Sequence, residues 1–546
     1  MSDELKHECA VAMVVLRRPP SPTGDFGGTK LSLLLEKQHN RGQDGAGAVI
    51  LAASPVPGEP PYWVAKSASE TPLADLLGAV GRRTSGRAER IFLGHLRYAT
   101  FGKNEAAFCH PFIHEANDLA RTLMLAGNFN LTNARELFES YSRHGAFPTS
   151  RADGYLICEL IAHELGDTRS FASAIAKALA NADGAWTLCG ATGDGWAFAT
   201  RDPHGIRPGF YLLNDDIVAV ASERPAIQAA FDVPPDAVKE IPPGKALVVS
   251  PSGEVEVSEA CPPGEPRPCV FERIYFSRGN DADIHRERKA LGAALAKPLL
   301  DAVGGDLENT FFSYIPNSAQ VAFHGLLEAL WTEGLAEGRP VRFGQVAVKD
   351  AKFRTFIADA AARREFYKHV YDVTYGLVRR DKDALVVLDD SIVRGNTMKN
   401  AILPMLDRLG PKRIVVASSA PPIRYPDCYG IDMSTLDELV AFKALVNLLG
   451  GRDALDQAVA AGAALPELYA RFTDEQHSAE IARLLTPSGM KAEVKVVYQS
   501  IDALHAACPG SSGDWYFTGD YPTPGGCRVL SRALENYLEK KNERSY

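Results

Sequence analysis

At 546 residues the chain exceeds what one hydrophobic core organises, and its 46% hydrophobic and 23% charged content is ordinary for a globular protein of two or more domains. A formal net charge of −9 argues against nucleic acid held on a basic face, and no apolar run approaches the ~20 residues that span a bilayer. The polar opening MSDELKHE does not read as a secretory leader, and nine scattered cysteines without a C-x-x-C pair read as reduced thiols of a cytoplasmic protein rather than a disulfide framework or zinc ribbon.

The first 250 residues are strand-rich. Val11–Leu16, Ala48–Ala52, Ile91–Leu93, Ala185–Cys189 and Ile217–Ala221 read as strands, with helices near Leu31–Gln38 and Gly154–Leu165. Cys9 immediately precedes the first strand, where a lone cysteine reads first as a buried core thiol and becomes a candidate nucleophile only through its companions. Polar, glycine-rich loops follow: HNRGQDGAG (His39–Gly47), GHLRYATFGKN (Gly94–Asn104), AGNFNLTN (Ala126–Asn133) and RDPHGIRP (Arg201–Pro208). Such loops on a rigid scaffold suit small polar ligands.

The proline-rich stretch CPPGEPRPC, Cys261 to Cys269, reads as an extended linker. Strands and helices then alternate to about Phe442, the pattern of a parallel sheet covered on both faces. FSYIPNSAQVAFHG (Phe312–Gly325) places a strand before a short polar loop and a helix. KDAKFRTFI (Lys349–Ile357) sets Lys349, Lys352 and Arg354 within six positions, either a solvated basic face or an electrostatic lid. In VVLDDSIVRGNT (Val386–Thr397), apolar Leu385–Leu388 predicts a buried strand that delivers Asp389 and Asp390 to its carboxyl end, where open α/β sheets bind ligands. Ser391–Thr397 then lies at the start of a helix spanning Met398–Leu409, a natural phosphate cradle. Paired carboxylates beside such a cradle suit a phosphorylated sugar, and no P-loop pattern competes with that reading. Beyond about Leu445 the chain reads as helical and alanine-rich, then polar.

The twelve-residue string around Asp389 resembles the phosphoribosyl diphosphate (PRPP) motif of phosphoribosyltransferases. The N-terminal loops resemble the glutamine amidotransferase domain of the N-terminal-nucleophile class. Both in this order, together with RDPHGIRP and RYPDCYGIDM (Arg424–Met433), resemble the amidophosphoribosyltransferase family over about residues 8–445. The resemblance implies an α+β N-terminal-nucleophile glutaminase domain of four layers (αββα), residues 9–260, after a propeptide, 1–8. An α/β type I phosphoribosyltransferase domain with a parallel sheet would span 270–445, and a C-terminal helical extension and tail 446–546.

The same resemblance implies roles. Cys9, freed at its amino group, would attack glutamine, with Asn128 in the oxyanion hole, Arg97 on the substrate carboxylate and Asp153 on its amino group. Asn317 and Ser318 would hold the diphosphate of PRPP, Lys349 and Arg354 would close over it, and Asp389 and Asp390 would meet the ribose and magnesium (Mg2+). Ser391, Arg394, Gly395, Asn396 and Thr397 would line the 5′-phosphate loop. Within these site motifs Ala10, Phe129 and Ala319 stand where the family usually has glycine, and Asn396 where threonine is more usual. Some members carry a four-cysteine iron–sulfur cluster. Here Gly513 and Tyr516 stand at two ligand positions and Cys428 is displaced by one residue, so no cluster is expected. The implied reaction is glutamine-dependent conversion of PRPP to 5-phosphoribosylamine, by a homotetramer under feedback from purine nucleotides. A glucosamine-phosphate synthase lacks the PRPP motif; a PRPP-sensing regulator with a degenerate glutaminase is the alternative from another class.

Overall fold

The computed structural model describes residues 9–545 except 19–24, 86–87, 99–104, 144–146, 151, 168–169, 350–370 and 542–543. Residues 1–8, expected as a propeptide, and Arg354 therefore lie outside the described residues.

The first half contains β1 (Ala10–Leu16), β2 (Gly45–Ala52), β3 (Tyr62–Ser67), β4 (Glu89–Arg97), β5 (Phe112–His114), β6 (Leu123–Leu131) and β7 (Gly184–Thr192). It continues with β8 (Ala197–Arg201), β9 (Phe210–Leu213), β10 (Ile217–Ala221), β11 (Val238–Glu240), β12 (Lys245–Val249) and β13 (Val255–Glu259). Among the described residues these form two antiparallel sheets, ordered β11-β9-β10-β1-β4-β2-β3 and β13-β12-β8-β7-β6-β5. The near-continuous apolar sequence of β1 follows from burial on both faces. Ala10, Ala12 and Val14 meet the helix Phe26–Lys37, whereas Val11, Met13 and Val15 meet Met124, Ala126 and Cys189 of the second sheet. The helix Asp153–Asp167 covers the outer face of that second sheet through Leu156, Ile157 and Ile161. Helix, sheet, sheet, helix is the four-layer order expected.

The second half contains β14 (Thr310–Tyr314), β15 (Arg342–Phe343), β16 (Ala347–Lys349), β17 (Tyr371–Val373), β18 (Ala384–Asp389), β19 (Arg413–Ser418) and β20 (Glu493–Tyr498). Five of them pair in parallel in the order β15-β14-β18-β19-β20. Central β18 divides its side chains between two cores: Leu385 and Val387 face one, Val386 and Leu388 the other. The sequence reading treats everything after 445 as a helical extension. The structure instead adds β20 to the sheet, register Arg413↔Glu493 to Ser418↔Tyr498, and packs Ile481 and Leu485 of the helix Asp474–Leu485 into the core. EVKVVY carries little apolar periodicity because an edge strand buries few of its side chains; only Val496 of β20 is fully buried.

The linker is extended but docked. Cys261 and Cys269 are buried, and the Arg267 N–H donates to the His204 carbonyl at 2.7 Å. Beyond it a π-turn, Glu272–Phe276, carries a buried charged tie between the halves. Fully buried Arg41, from the HNRGQ loop, donates Nε to Glu223 at 2.7 Å, Nη1 to Glu272 at 3.1 Å and Nη2 to Ser277 at 3.1 Å. Burial alone would push the Glu272 carboxyl up; Arg41 and the Ser277 hydroxyl hold it below the usual range. Arg41→Met should strand the buried carboxylates and cost about 3–5 kcal/mol. The thermal unfolding midpoint should fall, and Arg41→Met with Glu272→Gln should recover part of the loss; a single variant as stable as wild type would refute this account of the junction.

Candidate active site

The first constellation lies where β1 begins and β4 ends. Cys9 precedes Ala10, which pairs with Leu96, so the thiol comes beside Arg97 and Tyr98. The Tyr98 N–H donates to Cys9 Sγ at 3.4 Å, and the thiol faces the Tyr98 carbonyl at 3.7 Å. Its surroundings push the Cys9 thiol up to about 12: desolvation dominates, Arg97 opposes it, and Asp153 and Asp44 add to it. A thiol so held needs a proton acceptor before it can attack. Close approach of strands keeps this corner glycine-rich, since a Cβ on Gly45 would lie 2.5 Å from Cys109 Sγ. Asp153 opens its helix, accepting the Gly154 N–H at 2.9 Å, and burial raises its carboxyl to about 6 against the pull of Arg544 and Arg97.

Asn128 and Phe129 lie on β6, which faces β4 across the sheet interface. Phe129 opposes Trp186 of β7, whose own N–H and carbonyl turn the other way, to Asp202. The Phe129 N–H therefore points out of the β6–β7 ladder, on the open edge. Replacing glycine by phenylalanine here leaves that donor in place. Ala319 is likewise accommodated, with φ −76° and ψ −7°, and Ala10 sits in ordinary buried strand.

The second constellation lies at the carboxyl ends of β14 and β18. A pocket there is lined by Asn317 and Ser318 from one loop and by Asp389, Asp390, Ser391, Gly395 and Thr397 from the other. The two loops are tied together, because the Ser318 hydroxyl donates to Asp390, whose other oxygen accepts from Ser391 at 2.9 Å. Burial raises the Asp390 carboxyl, offset by those hydroxyls and by the charge of Arg288. Asp389 is more open, and its carboxylate accepts the Asp390 N–H at 3.0 Å. Gly395 has φ 77°, a conformation that favours glycine, and a Cβ there would meet Leu485 at 2.3 Å.

Arg394 does not line this pocket. Its guanidinium bonds Glu438 at 2.6 and 3.0 Å and lies 3.4 Å from Asp432. Asn396 is exposed and also outside the lining, and Lys349 closes β16. Two lining residues escaped the sequence reading, Tyr275 and Tyr371. Tyr275 belongs to CVFERIYF, a segment singled out only for its cysteine; its aromatic pair Tyr275-Phe276 was the available signal.

RDPHGIRP and RYPDCYGIDM prove to be loops each organised around one buried aspartate. Asp202 accepts N–H groups from His204, Ile206 and Arg207 at 3.0–3.1 Å, and Asp427 accepts those of Tyr429, Gly430 and Ile431 at 2.7–2.9 Å. They meet where Arg207 lies against Gly430. Nearby, Cys269 bridges to Gly513, and the Tyr516 hydroxyl stands 3.4 Å from Cys269 Sγ while accepting the Phe271 N–H at 2.8 Å.

A glutamine amidotransferase domain family matches residues 106–229. The amidophosphoribosyltransferase of Escherichia coli K12 is 31% identical over 372 residues, covering 64% of this chain and 69% of that protein. That of Methanocaldococcus jannaschii is 30% identical over 369 residues, covering 64% and 74%. The glutamine PRPP amidotransferase of B. subtilis, solved with ADP and GMP, superposes with a TM-score of 0.69 at 25% identity, covering 94% of this chain and 97% of that one. A relative 31% identical that this chain covers to 69% of its length, and a solved amidotransferase superposing over 94% of this chain, place it by likeness of sequence and fold, and the chain belongs to the amidophosphoribosyltransferase family.

Proposed function

We infer that this chain catalyses the opening step of purine synthesis, in which glutamine, PRPP and water become 5-phosphoribosylamine, glutamate and diphosphate. The observation that carries this is the pocket in which the Ser318 hydroxyl ties the Asn317–Ser318 loop to the Asp389–Asp390 pair. In this reading residues 9–260 form the glutaminase and 270–445 the phosphoribosyltransferase, with the later β20 completing its sheet.

Cys9 is the nucleophile. Removal of residues 1–8 would give it a free α-amino group, with an ordinary pKa near 8, as the base that a thiol pushed up to about 12 requires. The thiolate bonds to the amide carbon of glutamine, ammonia leaves with the proton from sulfur, and water cleaves the thioester to release glutamate and restore the thiol. Asn128 and the Phe129 N–H stabilise the developing oxyanion, while Arg97 and Asp153 hold the two charged ends of the amino acid. In the second site, ammonia nitrogen bonds to ribose C1 as the C1–O bond to diphosphate breaks, and the nitrogen then gives up a proton to solvent. Asn317 and Ser318 orient the diphosphate, Asp389 meets the ribose hydroxyls, Lys349 and Arg354 close over the charged substrate, and Ser391, Gly395 and Thr397 receive the 5′-phosphate. The all-oxygen donor set of Asp389 and Asp390 fits magnesium, which when bound would neutralise the diphosphate.

An iron–sulfur cluster does not fit these residues, because four thiolates are required and Tyr516 and Gly513 fill the space beside Cys269. We further propose a cytoplasmic homotetramer inhibited by purine nucleotides, supported by the ADP and GMP bound to the B. subtilis relative and by ordinary composition. No helix among the described residues is long and apolar enough to cross a membrane.

Glutamate release by protein beginning at Cys9, with magnesium, should rise at least tenfold when PRPP is added; equal rates with and without PRPP would refute coupled sites. An intact mass retaining residues 1–8 in fully active enzyme would remove the amino-terminal base. Because the Asp153 carboxyl is raised to about 6 and must be ionised to hold the substrate ammonium, KM for glutamine should climb about tenfold per pH unit below 6. A KM that stays flat from about pH 8 to 5 would dismiss that role.

A further inference from the structure

We propose that His95 and His110 are positioning residues of the glutaminase, two imidazoles that grip the backbone of Gly127 and thereby aim Asn128 and the Phe129 N–H at the oxyanion. This inference deepens the reading of the Cys9 site and rests on it. On the open edge of β6, β5 pairs only Phe112–His114 with Leu123–Leu125, so the ladder ends before the residues that matter. Two side chains continue it. The Gly127 N–H donates to His110 Nδ1 at 3.2 Å, and the Gly127 carbonyl stands 3.1 Å from His95 Nε2.

The chemistry of the partners fixes both tautomers. A carbonyl only accepts, so His95 carries its proton on Nε2; an amide N–H only donates, so His110 leaves Nδ1 bare. Each ring is neutral, since desolvation pulls His95 down to about 3 and His110 well below its usual value, with Arg97 and Lys66 acting in the same direction. The grip is thus independent of pH across the working range. The rings stack at 4.0 Å, and His110 stacks in turn on Phe129 at 5.5 Å. His95 is completely buried and shares a face of β4 with Arg97, two residues on, so one strand carries both the proposed carboxylate clamp and the support for the facing oxyanion strand. The packing leaves no room for a side chain at position 127: a Cβ there would lie 2.6 Å from Leu188 and 2.9 Å from the Thr187 carbonyl.

The test compares variants that keep or discard each bond, in full-length protein beginning at Cys9. In His110→Asn, Oδ1 can replace the Nδ1 acceptor, and in His95→Gln, Nε2 can replace the ring donor; His110→Phe and His95→Phe keep only a ring. We expect both phenylalanine variants to lose about 10- to 100-fold in glutaminase kcat, approaching removal of an oxyanion donor, with glutamine KM within about twofold. The Asn and Gln variants should stay within about threefold of wild type. Phosphoribosylamine formation from PRPP and free ammonia should be unchanged throughout, which separates this effect from general damage. Phenylalanine variants with wild-type kcat would overturn the proposal. So would Asn and Gln variants that lose more than tenfold while keeping ammonia-dependent activity, an outcome decisive even if the phenylalanine variants do not fold. Wild-type protein inert towards glutamine would instead overturn the parent reading of the Cys9 site.

Discussion

The junction between the two halves is built on one buried charge. Arg41 leaves the glutaminase half entirely shielded from water and meets Glu223 of its own half and Glu272 of the other. Desolvating such ions costs several kcal/mol each, so the network is retained only because its partners are fixed in number and direction. What it fixes is the π-turn Glu272–Phe276, which presents Tyr275 to the pocket between the Ser318 loop and Asp389. A second buried cation clamps the turn from the opposite side: Arg288 donates to the carbonyls of Arg273 at 2.7 Å and Ser277 at 2.7 Å while its charge acts on Asp390. The turn is therefore held between Arg41 of the first half and Arg288, whose charge also acts on Asp390.

Neighbouring carboxylates differ in this protein because their surroundings differ. Asp390 is buried and accepts from Ser318 and Ser391 on its two oxygens, so it ties two loops together at the pocket wall. Asp389, one residue earlier on the same strand end, stays open to the pocket. Asp202 and Asp427 are more extreme still, each a hub for three backbone N–H groups of the loop that follows it, as a helix end is satisfied by its cap.

Much of this was legible in the sequence. Apolar runs at β1, β10 and β18 declared themselves because strands buried on both faces cannot alternate, and Asp389 had to follow the last of these. The loops flanking the strands carried the chemistry for the same reason. Directions of side chains were not legible. Arg394 reads as a phosphate ligand by position, yet Glu438 and Asp432, some forty residues later, draw it away. The grip of His95 and His110 on Gly127 needs two strands and a loop brought together in three dimensions, which no spacing in the sequence declares. β20 was missed because an edge strand exposes most of its length and leaves little apolar signature.

The C-terminal segment has a mechanical role that its composition hid. Trp515, Tyr516 and Phe517 are almost completely buried in a core that also takes Ile206 from the RDPHGIRP loop and Phe271 from the turn beyond the linker. Trp515 Nε1 donates to Asp427 at 2.8 Å, and Asp183 of the glutaminase half accepts the Thr523 hydroxyl at 2.6 Å and the Gly525 N–H at 2.7 Å, anchoring the start of the helix Pro524–Leu538. Three segments far apart in sequence are thus joined around Cys269 by edge-to-face aromatic contacts, such as Phe271 with Tyr516 at 5.1 Å, and by a single phenol shared among hydrogen bonds. Close packing and satisfied polar groups are sufficient to fasten these segments, since the aromatic rings exclude water and each buried hydroxyl or indole N–H named here has a partner.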